Sequence, residues 1–271
     1  MTTPDPSGRI QGKTALVTGV GRLRGIGMMV ARRLAQEGAT VMATDILDSV
    51  HERAAELQAE NLPVLAYQAD LTQRNQVEVL VTETIKQLGR LDILVNVAGK
   101  SVPPRPPFLE MSDEYWNMVM DRNLKTTYLC CKVVLPEMVK QRYGKVVNIS
   151  SFTGTKYAYR YSAAYAASKG AVSGLTKALA LEFGEYGINV NAVLPGDTDV
   201  ADEPWTEEDG RRDLGVHDEF LRPPVARPGR PEEIASMVLF LCSDEASYIA
   251  GGDFLVDGGA SIVEPATAPP K

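Results

Sequence analysis

Short runs of apolar residues alternate along the chain with longer stretches in which apolar positions return every three or four residues. The runs Thr14–Thr18, Thr40–Asp45, Val64–Tyr67, Asp92–Asn96, Lys145–Ile149, Asn189–Val193 and Phe254–Val256 read as strands. Between them the spacing is helical, as at Ile26, Met29, Val30, Arg33 and Leu34. Strands that are apolar throughout and separated by helices belong to a parallel sheet covered on both sides. The expected fold is therefore α/β: a single doubly wound Rossmann-type domain over residues 12–263, with a seven-stranded parallel sheet flanked by helices on both faces. No internal repeat is visible.

Three segments break the rhythm. Ser101–Pro107 (SVPPRPP) is a proline-rich loop that cannot be helix. Asp197–Pro228 is acidic and carries Pro204, Pro223, Pro224 and Pro228, so it is expected to be a long excursion acting as a substrate loop. Residues 1–11 and 264–271 (EPATAPPK) are expected to be flexible ends.

Composition narrows the function by exclusion. The 271 residues carry 28 basic and 35 acidic side chains, a net charge of -7, with no long basic run. Nucleic acid and anionic membrane are not expected partners of such a surface. Three cysteines, Cys130, Cys131 and Cys242, make neither a disulfide framework nor a metal cluster, so no metal is expected and a reducing cytoplasm is the expected location. Met1–Gln11 lacks a cationic-then-apolar signal pattern, and no apolar run approaches the roughly 18 residues that span a bilayer. With only His51 and His217 present, histidine-based mechanisms start at a disadvantage.

The first strand runs into TGVGRLRGIG, a glycine-rich turn that opens a helix at Gly25-Ile26-Gly27. Such a turn lets backbone approach a pyrophosphate, while the helix start offers free N–H groups and a positive dipole end. Asp45 ends the second strand 20 residues beyond Gly25, about where an acidic side chain receives the adenosine ribose hydroxyls. A carboxylate there favours NAD and repels the 2′-phosphate of NADP. Arg22 and Arg24 pull the other way, because a guanidinium in this loop could clamp that phosphate. NAD is the expected cofactor, with NADP the alternative.

Tyr165 and Lys169 are four apart, hence on one helix face, and follow the fifth strand, whose end carries Ser150 and Ser151. A phenol titrates at about 10 in isolation. A neighbouring ammonium favours the phenolate and would suit it to removing an alcohol proton at neutral pH. In a doubly wound sheet, that strand end is where ligands sit.

Taken together, the chain resembles the short-chain dehydrogenase/reductase family over essentially its whole length. The matching pieces are Thr18-Gly19 with Gly25-Ile26-Gly27, Asp45, Ala69-Asp70-Leu71, Asn96-Val97-Ala98-Gly99 and Arg122-Asn123-Leu124. They continue with Asn148-Ile149-Ser150-Ser151, Tyr165 with Lys169, Asn191 with Pro195-Gly196, Arg227-Pro228-Gly229 before Pro231-Glu232-Glu233, and Val256-Asp257-Gly258-Gly259. The resemblance implies Tyr165 as general acid/base, with Lys169 lowering its pKa and binding the nicotinamide ribose. It implies Ser151 on the substrate oxygen and Asn123 holding a water of a proton relay. It also implies a cofactor lined by Gly19, Gly21, Arg24, Gly25, Ile26, Gly27, Asp45, Ile46, Asp70, Leu71, Asn96, Ala98 and Gly99, with Pro195, Gly196 and Thr198 at the carboxamide.

Four departures from the family pattern stand out. Five residues separate Gly19 from Gly25 where three are usual. Taking Gly21 as the first glycine restores the spacing but leaves two extra residues after Thr18. Val97 replaces an asparagine, Ser151 lies 14 residues before Tyr165 instead of 13, and Val200 stands where a threonine is usual.

The expected function is an oxidoreductase passing a hydride between NAD and a secondary alcohol or ketone. Its rivals are an NADP-dependent carbonyl or ketoacyl reductase and a dinucleotide-binding sensor without turnover. Tyr157, Tyr159, Tyr161, Trp205, His217 and Phe220 could wall an apolar or ring-shaped substrate, whereas Arg160, Arg211 and Arg212 could greet an anion. Several of these tyrosines would equally suit a subunit interface. The resemblance implies a homotetramer or homodimer, with helices around Asn123 and Tyr165 in the contact.

Overall fold

The structure is a computed structural model that describes residues 8–200 and 223–262. Seven strands form one parallel sheet: β1 (Thr14–Thr18), β2 (Thr40–Asp45), β3 (Val64–Gln68), β4 (Ile93–Asn96), β5 (Gly144–Ile149), β6 (Ile188–Pro195) and β7 (Asp253–Val256). Their spatial order is β3-β2-β1-β4-β5-β6-β7. β1 pairs with β2 on one side and β4 on the other, so the chain reverses direction across the sheet between them. That crossover opens a crevice at the C-terminal strand ends.

Alternation along β1 explains the two layers. Ala15 and Val17 face one core and Leu16 faces the other. The first core is closed by α1 (Ile26–Gln36), α2 (Val50–Ala59) and α7 (Pro231–Cys242). The second is closed by α3 (Arg74–Leu88), α5 (Thr126–Gln141) and Ala180 of α6 (Ala163–Phe183). Leu34 of α1 and Leu80 of α3 are fully buried, each burial being favourable by roughly 1.5–3 kcal/mol. α4 (Asp113–Met120) runs through a π-helical turn, Asp121–Lys125, directly into α5.

The expected strands are present with shifted ends. β3, β5 and β7 each gain a residue, and β6 extends to Ile188 and Pro195. Asp92 falls outside β4, although its N–H donates to the Thr14 carbonyl and its carbonyl accepts the Lys145 N–H; its buried carboxylate accepts the Thr14 N–H at 3.0 Å and pairs with Arg90 at 2.7 Å. Before β1, Ile10 is buried and its N–H donates to the Glu37 carbonyl. Most of the expected excursion, with Trp205, Arg211, Arg212, His217 and Phe220, lies outside the described residues, as does the tail from 264. Among the described residues no helix is long and apolar enough to cross a membrane.

Candidate active site

The glycine turn is built by close approach. Gly19 has φ +76° and lies against the Ala98 backbone, and a side chain at Gly27 would collide with the Gly19 carbonyl. The N–H groups of Gly19 and Val20 both donate to the Thr44 carbonyl, fastening the turn to the end of β2. α1 then starts after Gly25 with no side-chain cap and no acidic residue in its first turn. Its leading N–H groups and dipole are left for an anion, so the turn fits the pyrophosphate of a dinucleotide.

Asp45 does more than end β2. One carboxylate oxygen accepts the Gly21 N–H at 2.8 Å and the other accepts the Leu47 N–H at 3.0 Å. A Cβ at Gly21 would stand 2.8 Å from the Asp45 carboxyl carbon, so the second glycine of the loop is required by this aspartate. The two extra residues become an outward arch through Arg22, Leu23 and Arg24. Arg22 is exposed, whereas Arg24 reaches Asp199 on the loop after β6, at 3.2 Å. Ile46 is exposed beside Asp45.

Other members of the expected cofactor wall have structural partners. Thr18 Oγ1 accepts the N–H groups of Val97 and Ala98 at 2.9 and 3.0 Å, which holds the turn before Gly99. Asn96 points inward instead, donating to Asn148 Oδ1 at 2.8 Å, and Asn148 donates to Thr176. Asp70 accepts the Thr72 N–H and hydroxyl, a tight local turn before α3, and Leu71 is buried. Thr198 donates to the Gly196 carbonyl, and Phe152 N–H donates to the Pro195 carbonyl.

β5 delivers the catalytic candidates. Beyond Ile149, Ser150 donates to the Lys169 carbonyl at 2.7 Å and so ties the strand end to α6. Ser151 is buried, its hydroxyl accepting the Thr153 N–H at 3.1 Å. The longer link to α6 is consolidated by Phe152 stacked on Tyr157, ring centroids 5.5 Å apart. Lys169 is buried and donates to the Ile149 carbonyl at 2.8 Å, its ammonium 5.9 Å from the Tyr165 ring centre. Asn123 sits in the π-helical turn, where its amide donates to the carbonyls of Val119 and Lys100. Its Oδ1 is buried without a hydrogen-bond partner. Such turns often occur at functional sites, and this one carried no signal in the sequence pattern.

The electrostatics differ from expectation. Burial pushes the Tyr165 phenol up to about 12, against the opposing pull of the Ser151 hydroxyl beside it and the charge of Arg105. Burial also pushes the Lys169 ammonium down to about 8. Both groups are desolvated, and the Lys169 ammonium is directed at the Ile149 carbonyl. Arg105, which sequence reasoning passed over inside SVPPRPP, stands with its guanidinium 5.0 Å over the Tyr159 ring.

The remaining motifs fix the frame. Asn191 accepts the Gly252 N–H and donates to the Ile249 carbonyl, docking β7. Arg227 pairs with Glu233 through two bonds of 2.6 and 2.8 Å, and Glu233 also accepts the Arg230 N–H at the start of α7. Asp257 accepts the N–H groups of Gly259 and Ser261.

The chain is similar to known proteins over most of its length. A family model described as enoyl-(acyl carrier protein) reductase matches residues 19–261. The chain is 39% identical to a 3-oxoacyl-(acyl-carrier-protein) reductase of Thermotoga maritima, over 94% of this chain and all of that one. It is 35% identical to an NAD-dependent glycerol dehydrogenase of Listeria innocua, over 95% of this chain and 97% of that one. A crystal structure from Burkholderia xenovorans, described as a short-chain dehydrogenase/reductase, superposes with a TM-score of 0.83 at 35% identity, covering 94% of this chain and 98% of that one. On sequence and fold alike, the chain belongs to the short-chain dehydrogenase/reductase family of oxidoreductases.

Proposed function

We propose that the protein is an NAD-dependent dehydrogenase that interconverts a secondary alcohol and a ketone, with Tyr165 as general acid/base. The observation that carries this reading is the meeting of Ser151, Tyr165 and Lys169 beyond the end of β5, beside an uncapped glycine turn with Asp45 against it. When bound, the nicotinamide supplies or accepts the hydride. Tyr165 gives its phenolic proton to the developing alkoxide, or takes it back in oxidation. Ser151 orients the substrate oxygen toward that phenol. Lys169 holds the ribose and, once hydrogen-bonded there, supplies the positive charge that steadies a phenolate. The orphaned Asn123 Oδ1 suits a water that returns the proton to solvent, since a buried acceptor left unpaired costs about 1–3 kcal/mol.

NAD is favoured because Asp45 lines the turn, and the Listeria relative is named for NAD dependence. Arg24 supports the NADP alternative less well, since its charge is matched by Asp199. The Thermotoga relative's name keeps a ketoacyl substrate as the second reading. Gly19, Gly21, Gly25, Ile26, Gly27, Asp45, Ile46, Asp70, Leu71, Ala98, Gly99, Pro195, Gly196 and Thr198 are the proposed cofactor contacts. Arg24 and Asn96 act behind them. A cytoplasmic homo-oligomer joined through α5 and α6 completes the proposal.

Initial rates with NAD and NADP over a panel of secondary alcohols test this. A preference for NAD of about tenfold or more is expected, from one lost ribose hydrogen bond and the repelled phosphate. An equal preference for NADP would reverse the cofactor assignment.

A further inference from the structure

The loop after β4 places one arginine among four prolines, Pro103, Pro104, Pro106 and Pro107, whose rings restrict the backbone around it. The loop is anchored where Tyr115 donates to the Val102 carbonyl at 2.5 Å. Arg105 Nε donates to Ser101 Oγ at 3.0 Å, and the guanidinium lies 5.0 Å over the Tyr159 ring. Tyr159 belongs to the separate loop that leads into α6, so Arg105 bridges the two loops that frame Tyr165. Stacking on an aromatic face fixes the plane of a guanidinium while leaving its outer N–H groups available.

Among the described residues Arg105 forms no ion pair. Its charge is nevertheless felt by three groups of the cleft: it pulls down the phenols of Tyr165 and Tyr115 and the carboxyl of Asp197. In each case desolvation raises the group more strongly than Arg105 lowers it. An arginine oriented by Ser101 and Tyr159, with no ion-paired carboxylate among the described residues, is suited to an anion that arrives with the substrate.

We propose that Arg105 is a specificity-determining residue that binds a carboxylate of the substrate, so that the enzyme acts on secondary hydroxycarboxylates and the matching oxocarboxylates. This rests on the reading of Tyr165 as the group that serves the carbinol oxygen. The carboxylate pairs with the outer N–H groups of Arg105 while the hydroxyl meets Tyr165 and Ser151. Neutral alcohols lack the first contact and enter with the second alone.

Lactate, mandelate and 3-hydroxybutyrate, each compared with its methyl ester, provide the test. For at least one pair the native enzyme should favour the carboxylate in kcat/KM by about tenfold or more, the worth of one charge-assisted hydrogen bond. Arg105→Met should collapse that ratio through KM, and Arg105→Lys should restore part of it. Equal use of acid and ester by the native enzyme, or an unchanged ratio in Arg105→Met, would overturn the proposal while leaving the dehydrogenase intact. Calorimetric titration of acetoacetate and methyl acetoacetate into both proteins in the presence of oxidised NAD, which has no hydride to give a ketone, reads the same preference without turnover. Binding of the acid that weakens about tenfold in Arg105→Met supports the proposal, and binding that does not change refutes it. Failure of every alcohol, charged or neutral, to turn over would count instead against the role given to Tyr165.

Discussion

Asp45 accepts the Gly21 N–H, and in the proposed function it also receives the cofactor's ribose. Replacing it with serine removes both the negative charge and the 2.8 Å acceptor. Asp45→Ser should lower the NAD-to-NADP rate ratio by about tenfold or more, and it should also cost roughly 1 kcal/mol of stability. Initial rates with each cofactor and thermal melts separate the two effects. Lys169 makes a different prediction. Its pKa, lowered by burial from the ordinary 10.5 to about 8, means that the unfolded chain binds more protons between those values. Stability should therefore rise with pH through that window, and Lys169→Met should lack this rise in denaturant titrations at about pH 8 and pH 10. Both residues were legible in the sequence, Asp45 from its place after a strand and Lys169 from its four-residue step from Tyr165. Their partners were not. A carbonyl such as that of Ile149 leaves no residue-type signal, and the desolvation that governs both pKa values depends on the assembled fold.

Among the elements, the strands were legible because a parallel strand buried on both faces is a continuous apolar run. Their ends were less so: β4 starts at Ile93 and not at Asp92, and β6 runs past the expected Asn189–Val193 to Ile188 and Pro195. The π-helical turn that carries Asn123 was invisible, since the helical spacing on either side passes through it unbroken. The longer glycine loop was seen as a departure, and its role emerges only from the distant Asp199. Arg24→Ala should unfasten the arch and weaken NAD binding several-fold with little change in kcat, as a stopped-flow or fluorescence titration would show. At α7, Glu233 is held down to about 2 chiefly by its hydrogen bonds with Arg227. That contribution is present above the ordinary carboxyl value of 4.5 and is lost as pH falls towards 2. The pair is about a third exposed, so the loss should be under about 1 kcal/mol. Glu233→Gln should flatten this part of the acid melting profile.

For the molecule as a whole, the reversal of strand order between β1 and β4 brings the glycine turn, the Asn96–Gly99 turn, Ser151 and Pro195 to one edge of the sheet. No single motif requires that convergence, and it follows once the sheet is parallel and doubly wound. Met120, Leu124, Tyr128 and Leu175, with Asp121 and Lys125 among them, line a largely apolar groove across α4, the π-helical turn, α5 and α6, with Tyr128 42% exposed. A second copy covering this groove would bury the helices that carry Asn123 and Tyr165. Leu175→Glu should then dissociate the assembly in light scattering and lower activity with it. A protein that is monomeric from the start would remove the oligomer from the account.

The central claim is that Tyr165 moves the proton and does not hold the cofactor by its hydroxyl. Tyr165→Phe removes one oxygen and leaves the ring. Measured by titration, NAD binding should stay within about threefold of the native value, while kcat for a secondary alcohol should fall by about a hundredfold or more, the usual worth of a positioned acid/base. Turnover that survives the substitution would contradict the account.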